Sequence, residues 1–179
     1  EAAIGAAMIG SYAVPINWHS IGDEVQYILE DSDAKALIIH ADLWDSLQAD
    51  LSLNIPVFVV PTGLDIAERY GIDPGICEVP QDQENWNLWI EGFSPWTEPP
   101  RPRRSNVIYT SGTTGKPKGV VREPETPELT AAFAEMMNLI LGMEEGQEIR
   151  TVITGPIYHG APNAYALRSF MLEGYTVLQ

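Results

Sequence analysis

Residues 109–119 read Tyr-Thr-Ser-Gly-Thr-Thr-Gly-Lys-Pro-Lys-Gly. Hydroxyls sit at Thr110, Ser111, Thr113 and Thr114, glycines at Gly112, Gly115 and Gly119, and ammonium groups at Lys116 and Lys118. Backbone N–H groups in a glycine-rich turn can converge on an anion, because no Cβ blocks close approach. Hydroxyls add donors for phosphate oxygens, and lysine adds a compact positive charge. The chemistry these residue types share is the holding of a polyphosphate, in the first instance that of a nucleotide. The spacing is not that of the P-loop, which needs a glycine five positions before its Gly-Lys pair and a hydroxyl after the lysine. Here position 110 is Thr, and Pro117 follows Lys116. The glycine spacing also fails the dinucleotide fingerprint. The competing reading is a surface loop without a ligand.

His159 is the second candidate. Tyr158-His159-Gly160 falls in a loop between an expected strand and an expected helix, where binding groups collect. Its imidazole could donate to a carboxylate; the alternative is a structural histidine. His19 and His40 have no such setting, and surface or core positions are expected for both. Cys77 has no catalytic partner nearby and reads as structural. Tyr109 reads as core.

These residues need elements to hold them. An apolar run, Val107-Ile108-Tyr109, reads as a strand entering the loop, which would set the loop at the carboxyl edge of a parallel sheet. Residues 1–9 are small and apolar, as in a closely packed helix, and Tyr12–Ile16 reads as the end of a strand. Ser20 reads as a helix cap with Asp23 three residues on. Ile21, Val25, Ile28 and Leu29 then share one helical face. Ala36–Ile39 and Val57–Val60 read as strands buried on both faces, with a helix over Leu43–Leu51 between them. Helix alternating with strand predicts an α/β fold: a mostly parallel sheet with crossover helices. Residues 1–60 are the first βα units, 61–105 an irregular, proline-rich connector, and 106–179 the half that carries the loop and His159. Arg101, Arg103 and Arg104 end the connector, either as a solvated approach or as an anion site. Thr126-Pro127 predicts a capped helix start, Gly142 its end, and Leu129, Ala132, Phe133, Met136, Met137, Ile140 and Leu141 a stripe packed on a sheet. A strand over Arg150–Ile153, a helix over Ala161–Leu172 and a strand from Tyr175 complete the pattern.

Composition narrows the function classes. With 45 % hydrophobic residues in 179, the chain is globular. Ten basic against 25 acidic residues give a formal charge of −15, which argues against a nucleic-acid surface. No run reaches the length of about 18 apolar residues that a membrane span needs. One cysteine excludes an intramolecular disulfide framework and suits a reducing, cytoplasmic setting. Glu1–Met8 reads as the inside of a helix and Tyr175–Gln179 as a strand cut short, so a piece of a longer protein is expected.

The loop resembles the signature loop of the adenylate-forming (AMP-binding) superfamily, which includes acyl-CoA synthetases, luciferases and peptide-synthetase adenylation domains. Flanking segments resemble it too: GAAMIGSYAVPINWH, YILEDSDAKALI and PIYHGAPNAYALRSFMLEGYTVL. The resemblance implies part of the large N-terminal domain of a two-domain ligase, with the C-terminal domain not in this chain. It also implies ATP-dependent activation of a carboxylic acid, fatty or otherwise apolar, to an acyl-adenylate, then transfer to coenzyme A, with Mg2+ assisting. Thr110, Ser111, Gly112, Thr113, Thr114 and Lys118 match the positions that hold the β- and γ-phosphates. Gly115 and Lys116 lie in the same loop, Lys116 at a variable place. His159 matches the position lining the carboxylate pocket, as the catalytic candidate. Arg122-Glu123-Pro124 departs from the hydroxyl or histidine pair found there in the family. The family's adenine, ribose and catalytic-lysine contacts match nothing here, so this piece alone is expected to make no acyl-CoA. The alternatives are a peptide-synthetase adenylation domain, which tends to show Phe-Asp where this chain has Tyr158-His159, and a nucleotide-binding module without chemistry.

Overall fold

The structure is a computed structural model that describes residues 1–99, 101–102, 104–110, 115–123, 126–142, 149–171 and 174–178. The chain divides into two compact units, one of residues Ile16–Glu98, the other of Glu1–Pro15 together with Pro99–Gln179.

Helix α1 (Ala2–Met8) opens the second of these units. Gly10 follows it at φ +70, and a Cβ there would lie 3.2 Å from the Arg101 Cβ. The Arg101 N–H donates to the Met8 carbonyl at 2.8 Å. Small side chains and a left-handed glycine thus let residues 101–102 lie close to the helix end. Tyr12–Ile16 forms no strand, although the Ala13 carbonyl accepts from Val107 N–H at 2.9 Å. Pro15 lacks the N–H that a continued ladder would use.

Unit 16–98 contains α2 (Gly22–Asp31), β1 (Leu37–His40), α3 (Ala41–Leu47), β2 (Val57–Val60), α4 (Leu64–Tyr70), β3 (Glu84–Asn85) and α5 (Trp86–Glu91). Its strands pair in parallel in the order β1-β2-β3, with Leu37 opposite Val57 and Phe58 opposite Glu84. Parallel neighbours need crossovers, which α3 and the α4 segment supply. Val25, Leu29, Leu37, Ile39, Ala41, Trp44 and Val59 form the core. Three expectations are corrected here. Helix α2 is preceded by Ile21 without a side-chain cap, so Ser20 does not cap it. Ile21 is exposed, and the buried face is Val25, Ile28 and Leu29. Strand β1 alternates, Leu37 and Ile39 inward, Ile38 and His40 outward, so it is buried on one face only. Residues 61–105 hold α4, a 3-10 turn at Pro74–Ile76, β3 and α5. These elements are too short for periodicity to reveal. Local chemistry sets their ends: Gly71 closes α4 at φ +65, and Asn85 Oδ1 accepts from the N–H groups of Asn87 (2.9 Å) and Leu88 (3.3 Å). Trp86 and Trp89 pack on Phe58, with centroids 5.9 and 4.6 Å away.

The other unit continues with β4 (Ile108–Thr110), β5 (Lys118–Val120), α6 (Pro127–Leu141), β6 (Ile149–Ile153), α7 (Gly160–Met171) and β7 (Gly174–Leu178). Strands β6 and β7 pair in parallel across α7, the expected crossover unit. Thr126 caps α6, its hydroxyl oxygen accepting from Leu129 N–H at 3.3 Å, and Gly142 at φ +64 ends it. The α6 stripe is mostly exposed among the described residues: Met137 is buried, whereas Leu129, Phe133, Met136 and Ile140 are not. Arg168 on α7 donates to the Ala134 carbonyl at 3.3 Å and to Asn138 Oδ1, tying α7 to α6. No helix among the described residues is long and apolar enough to cross a membrane.

Candidate functional site

The glycine-rich loop joins β4 to β5, which pair antiparallel with Tyr109 opposite Gly119 and Thr110 opposite Lys118. The sequence predicts a loop at the carboxyl edge of a parallel sheet; the structure makes it the connection of a hairpin. The hairpin closes because Gly119 offers no side chain. A Cβ at Gly119 would sit 2.8 Å from the Tyr109 ring and 3.0 Å from Val107 Cγ1, so the aromatic ring occupies the space a side chain there would need. That gives Tyr109 the packing role expected of it. Gly115 takes φ +89 with open space around it, so its requirement is conformational rather than steric. Thr110, Lys116 and Lys118 are all exposed. Ser111, Gly112, Thr113 and Thr114 lie outside the described residues, so the direction of their amides is not described. What the hairpin brings together is Thr110 and Lys118, face to face across its end, with Gly115 and Lys116 in the connection.

The charge pattern around the hairpin is one-sided. Between Pro99 and Arg122 the sequence has no acid, yet it holds six of the ten basic residues: Arg101, Arg103, Arg104, Lys116, Lys118 and Arg122. In a chain of charge −15 this segregation makes the stretch locally positive. Arg104 is part-buried and held on Tyr12, not a freely solvated approach. Its guanidinium lies 4.7 Å over the Tyr12 ring and donates to Tyr12 Oη at 2.8 Å. The Tyr12 hydroxyl in turn donates to the Arg122 carbonyl at 3.2 Å. Residues just past β5, where the chain departs from the family pattern, are therefore pinned to the segment after α1. Arg103 lies outside the described residues.

His159 sits in a tight loop. Its N–H donates to the Pro156 carbonyl at 3.0 Å, and its carbonyl accepts from Asn163 N–H at 3.0 Å, so it is the residue from which α7 begins. A Cβ at Gly155 would lie 2.8 Å from Pro162 Cγ, which fixes how closely the loop folds on the helix start. The His159 ring is exposed and lies 4.6 Å from that of Tyr158 at 55°. Asn163, buried, donates through Nδ2 to the Ile157 carbonyl at 2.8 Å and accepts through Oδ1 from Asn106 Nδ2 at 2.9 Å. Asn106 directly precedes Val107 and β4. Sequence reasoning missed Tyr12, Asn106 and Asn163, because each acts through a partner at least 57 positions away. The acid-free basic stretch was the signal available in the sequence alone.

Elsewhere, the His19 ring lies 3.5 Å from that of Trp18, tilted by 32°, and His40 lies at the end of β1. Cys77 is buried, with Sγ donating to the Asp73 carbonyl at 3.5 Å. Burial, then the negative charges of Asp42, Asp73 and Glu78, pushes its thiol pKa up. A protonated, buried thiol is a poor nucleophile. Among the described residues, no three His, Cys, Asp or Glu side chains group as a metal site.

Three comparisons bear on this arrangement. The model of the "AMP-binding enzyme" family matches residues 1–178. The chain is similar to the long-chain-fatty-acid–CoA ligase FadD13 of Mycobacterium tuberculosis, 34 % identical over 134 residues, covering 72 % of this chain and 23 % of the relative. It is also similar to the mouse mitochondrial malonate–CoA ligase ACSF3, 27 % identical over 114 residues, 64 % of this chain and 17 % of the relative. The chain thus spans about a fifth of the length of these curated relatives. Among solved structures it is similar to the anthranilate CoA ligase AuaEII in complex with anthranoyl-AMP, at TM-score 0.57 and 27 % identity, covering 83 % of this chain and 26 % of the other. The N-terminal domain of FACL13 from Mycobacterium tuberculosis shares the fold at TM-score 0.53 and 20 % identity, covering 98 % and 39 %. With the family model matching almost the whole length, the chain belongs to the AMP-binding enzyme family.

Proposed function

We propose that this chain is the phosphate-holding and acid-positioning part of an AMP-forming acid–thiol ligase. The observation that carries the reading is the hairpin end, where Thr110 faces Lys118 and Gly115 turns in the left-handed region, within an acid-free stretch of a family member. In the first half-reaction a substrate carboxylate oxygen attacks the α-phosphorus of ATP, and the bond to the pyrophosphate oxygen breaks. Thr110, Ser111, Gly112, Thr113, Thr114, Gly115, Lys116 and Lys118 are the groups we assign to the β- and γ-phosphates, where preorganised donors stabilise the charge that gathers on the leaving group. Mg2+ would ride on the triphosphate oxygens, since hard cations keep several oxygen ligands from phosphate and water. His159 would donate to the substrate carboxylate. In the second half-reaction a thiol, in this reading that of coenzyme A, attacks the acyl carbon and displaces AMP.

For the acid we favour an apolar one. Residues 155–162, Gly-Pro-Ile-Tyr-His-Gly-Ala-Pro, contain no charged side chain to grip an α-amine or a second carboxylate. Relatives named for malonate, crotonobetaine or carnitine, and long-chain fatty acids span the alternatives. A pyrophosphate-exchange screen of the full-length protein against fatty acids, dicarboxylates, carnitine-like zwitterions and amino acids is the test. Exchange with fatty or aromatic acids is expected; exchange with amino acids alone would replace this reading by a peptide-synthetase adenylation domain.

A further inference from the structure

The buried amide of Asn163 joins the two halves of the candidate site. Its Nδ2 holds the Ile157 carbonyl at 2.8 Å, two residues before His159. Its backbone N–H holds the carbonyl of His159 itself at 3.0 Å. Its Oδ1 receives Asn106 Nδ2 at 2.9 Å, on the segment that enters β4 and then the glycine-rich connection. The amide orientation is fixed by chemistry: the Ile157 carbonyl accepts only, so the face of Asn163 toward it must be NH2, and the opposite face must be oxygen. The Asn163 side chain thus bonds both the His159 loop and the approach to β4. An asparagine at this point costs desolvation unless both ends are satisfied, and both are.

We propose that Asn163 is a positioning residue: it sets the distance between His159 and the phosphate-holding hairpin, and so aligns the carboxylate with the α-phosphorus. This rests on the ligase reading above. In-line attack tolerates little misplacement, and an error of about 1 Å can cost of order 100-fold in rate.

Two variants of the full-length enzyme separate the bonds. Asn163→Asp keeps the acceptor for Asn106 but replaces the donor to Ile157 by a carboxylate oxygen, which repels that carbonyl. Asn106→Ala, at a half-buried position, cuts only the link to β4 and is the milder change. For Asn163→Asp we expect kcat of pyrophosphate exchange to fall roughly 10- to 100-fold. Its effect should vanish in a His159→Ala background, since coupled residues are non-additive. Asn106→Ala should lower kcat as well, with less effect on the KM of the acid. A readout independent of activity is the imidazole NMR signal of His159, which should shift in both variants while those of His19 and His40 stay fixed. Multiplicative effects of Asn163→Asp and His159→Ala would overturn the proposal, as would variants that lose melting temperature but keep native kinetics and an unmoved His159 signal. Should Asn163→Asp fail to fold, Asn106→Ala decides by the same two readouts. If the unaltered enzyme exchanges pyrophosphate with no acid at all, the ligase reading fails, and the His159 signal alone decides whether Asn163 positions it.

Discussion

At the scale of single residues, the hairpin depends on two glycines for different reasons. Gly119 must lack a Cβ because the Tyr109 ring occupies that space at 2.8 Å, so Gly119→Ala has to displace the ring from β4. Gly115 must lack one because of its φ of +89, although nothing crowds it. Left-handed backbone costs a non-glycine residue about 1–2 kcal/mol. Both alanine variants should weaken ATP binding in the full-length enzyme. Only Gly119→Ala should also alter Tyr109 fluorescence or its ring NMR signals; unchanged signals there would refute the ring-over-glycine packing. Lys118→Ala should raise the KM for ATP or lower kcat by about 10- to 150-fold, from a charge-assisted contact worth about 1.5–3 kcal/mol. Unaltered kinetics would remove Lys118 from the site. The residues assigned to phosphate stand out in the sequence because they are contiguous, so composition and spacing alone single them out. Tyr12, Asn106 and Asn163 were not, because their chemistry exists only after residues 57 to 110 positions apart are folded together.

At the scale of elements, legibility followed length. Helix α6, with 15 residues, was readable to its caps: Thr126, Pro127 and Gly142 all stand where the sequence sets them. Removing the Thr126 hydroxyl by Thr126→Ala should cost about 1 kcal/mol of stability, measured by denaturant unfolding. Glu128, in the first turn of α6, has its pKa lowered by a hydrogen bond from its own N–H and by one from Thr126. A depressed carboxylate contributes stability above its unfolded pKa, ordinarily 4.5, and loses it as pH falls through the folded value. Glu128→Gln should therefore melt below the parent at neutral pH and converge with it in acid; a gap that persists in acid would remove the ionic cause. By contrast β3 has two residues and α5 six, too few to repeat a strand or helix pattern. The burial of β1 on one face was misread because Leu37-Ile38-Ile39 is apolar throughout, and an unbroken apolar run does not say which side faces solvent.

At the scale of the whole molecule, the parallel three-stranded sheet of residues 16–98 has its own core, centred on Val59 with no exposed surface. Expressed alone, residues 16–98 should unfold in a cooperative transition, followed by circular dichroism. Cys77 should resist alkylation until that transition, because its thiol is buried and protonated. Immediate labelling in the native state, or a transition without cooperativity, would show that this core needs the remainder of the chain. The α/β class was legible from alternation alone. The division into a continuous unit and one built from two separated segments was not, because no local pattern records which distant segments meet.

That interrupted connectivity has a consequence for synthesis on the ribosome. The continuous unit is complete once Glu98 has emerged, whereas the segment ending at Pro15 must wait for residues beyond Pro99 before its Ala13 carbonyl meets Val107. Domains mature as units, in the order in which they leave the tunnel. Residues 1–15 therefore remain an unclaimed apolar segment while residues 16–98 are already native, and codon-level pauses after residue 98 would lengthen the interval in which chaperones can recognise that segment.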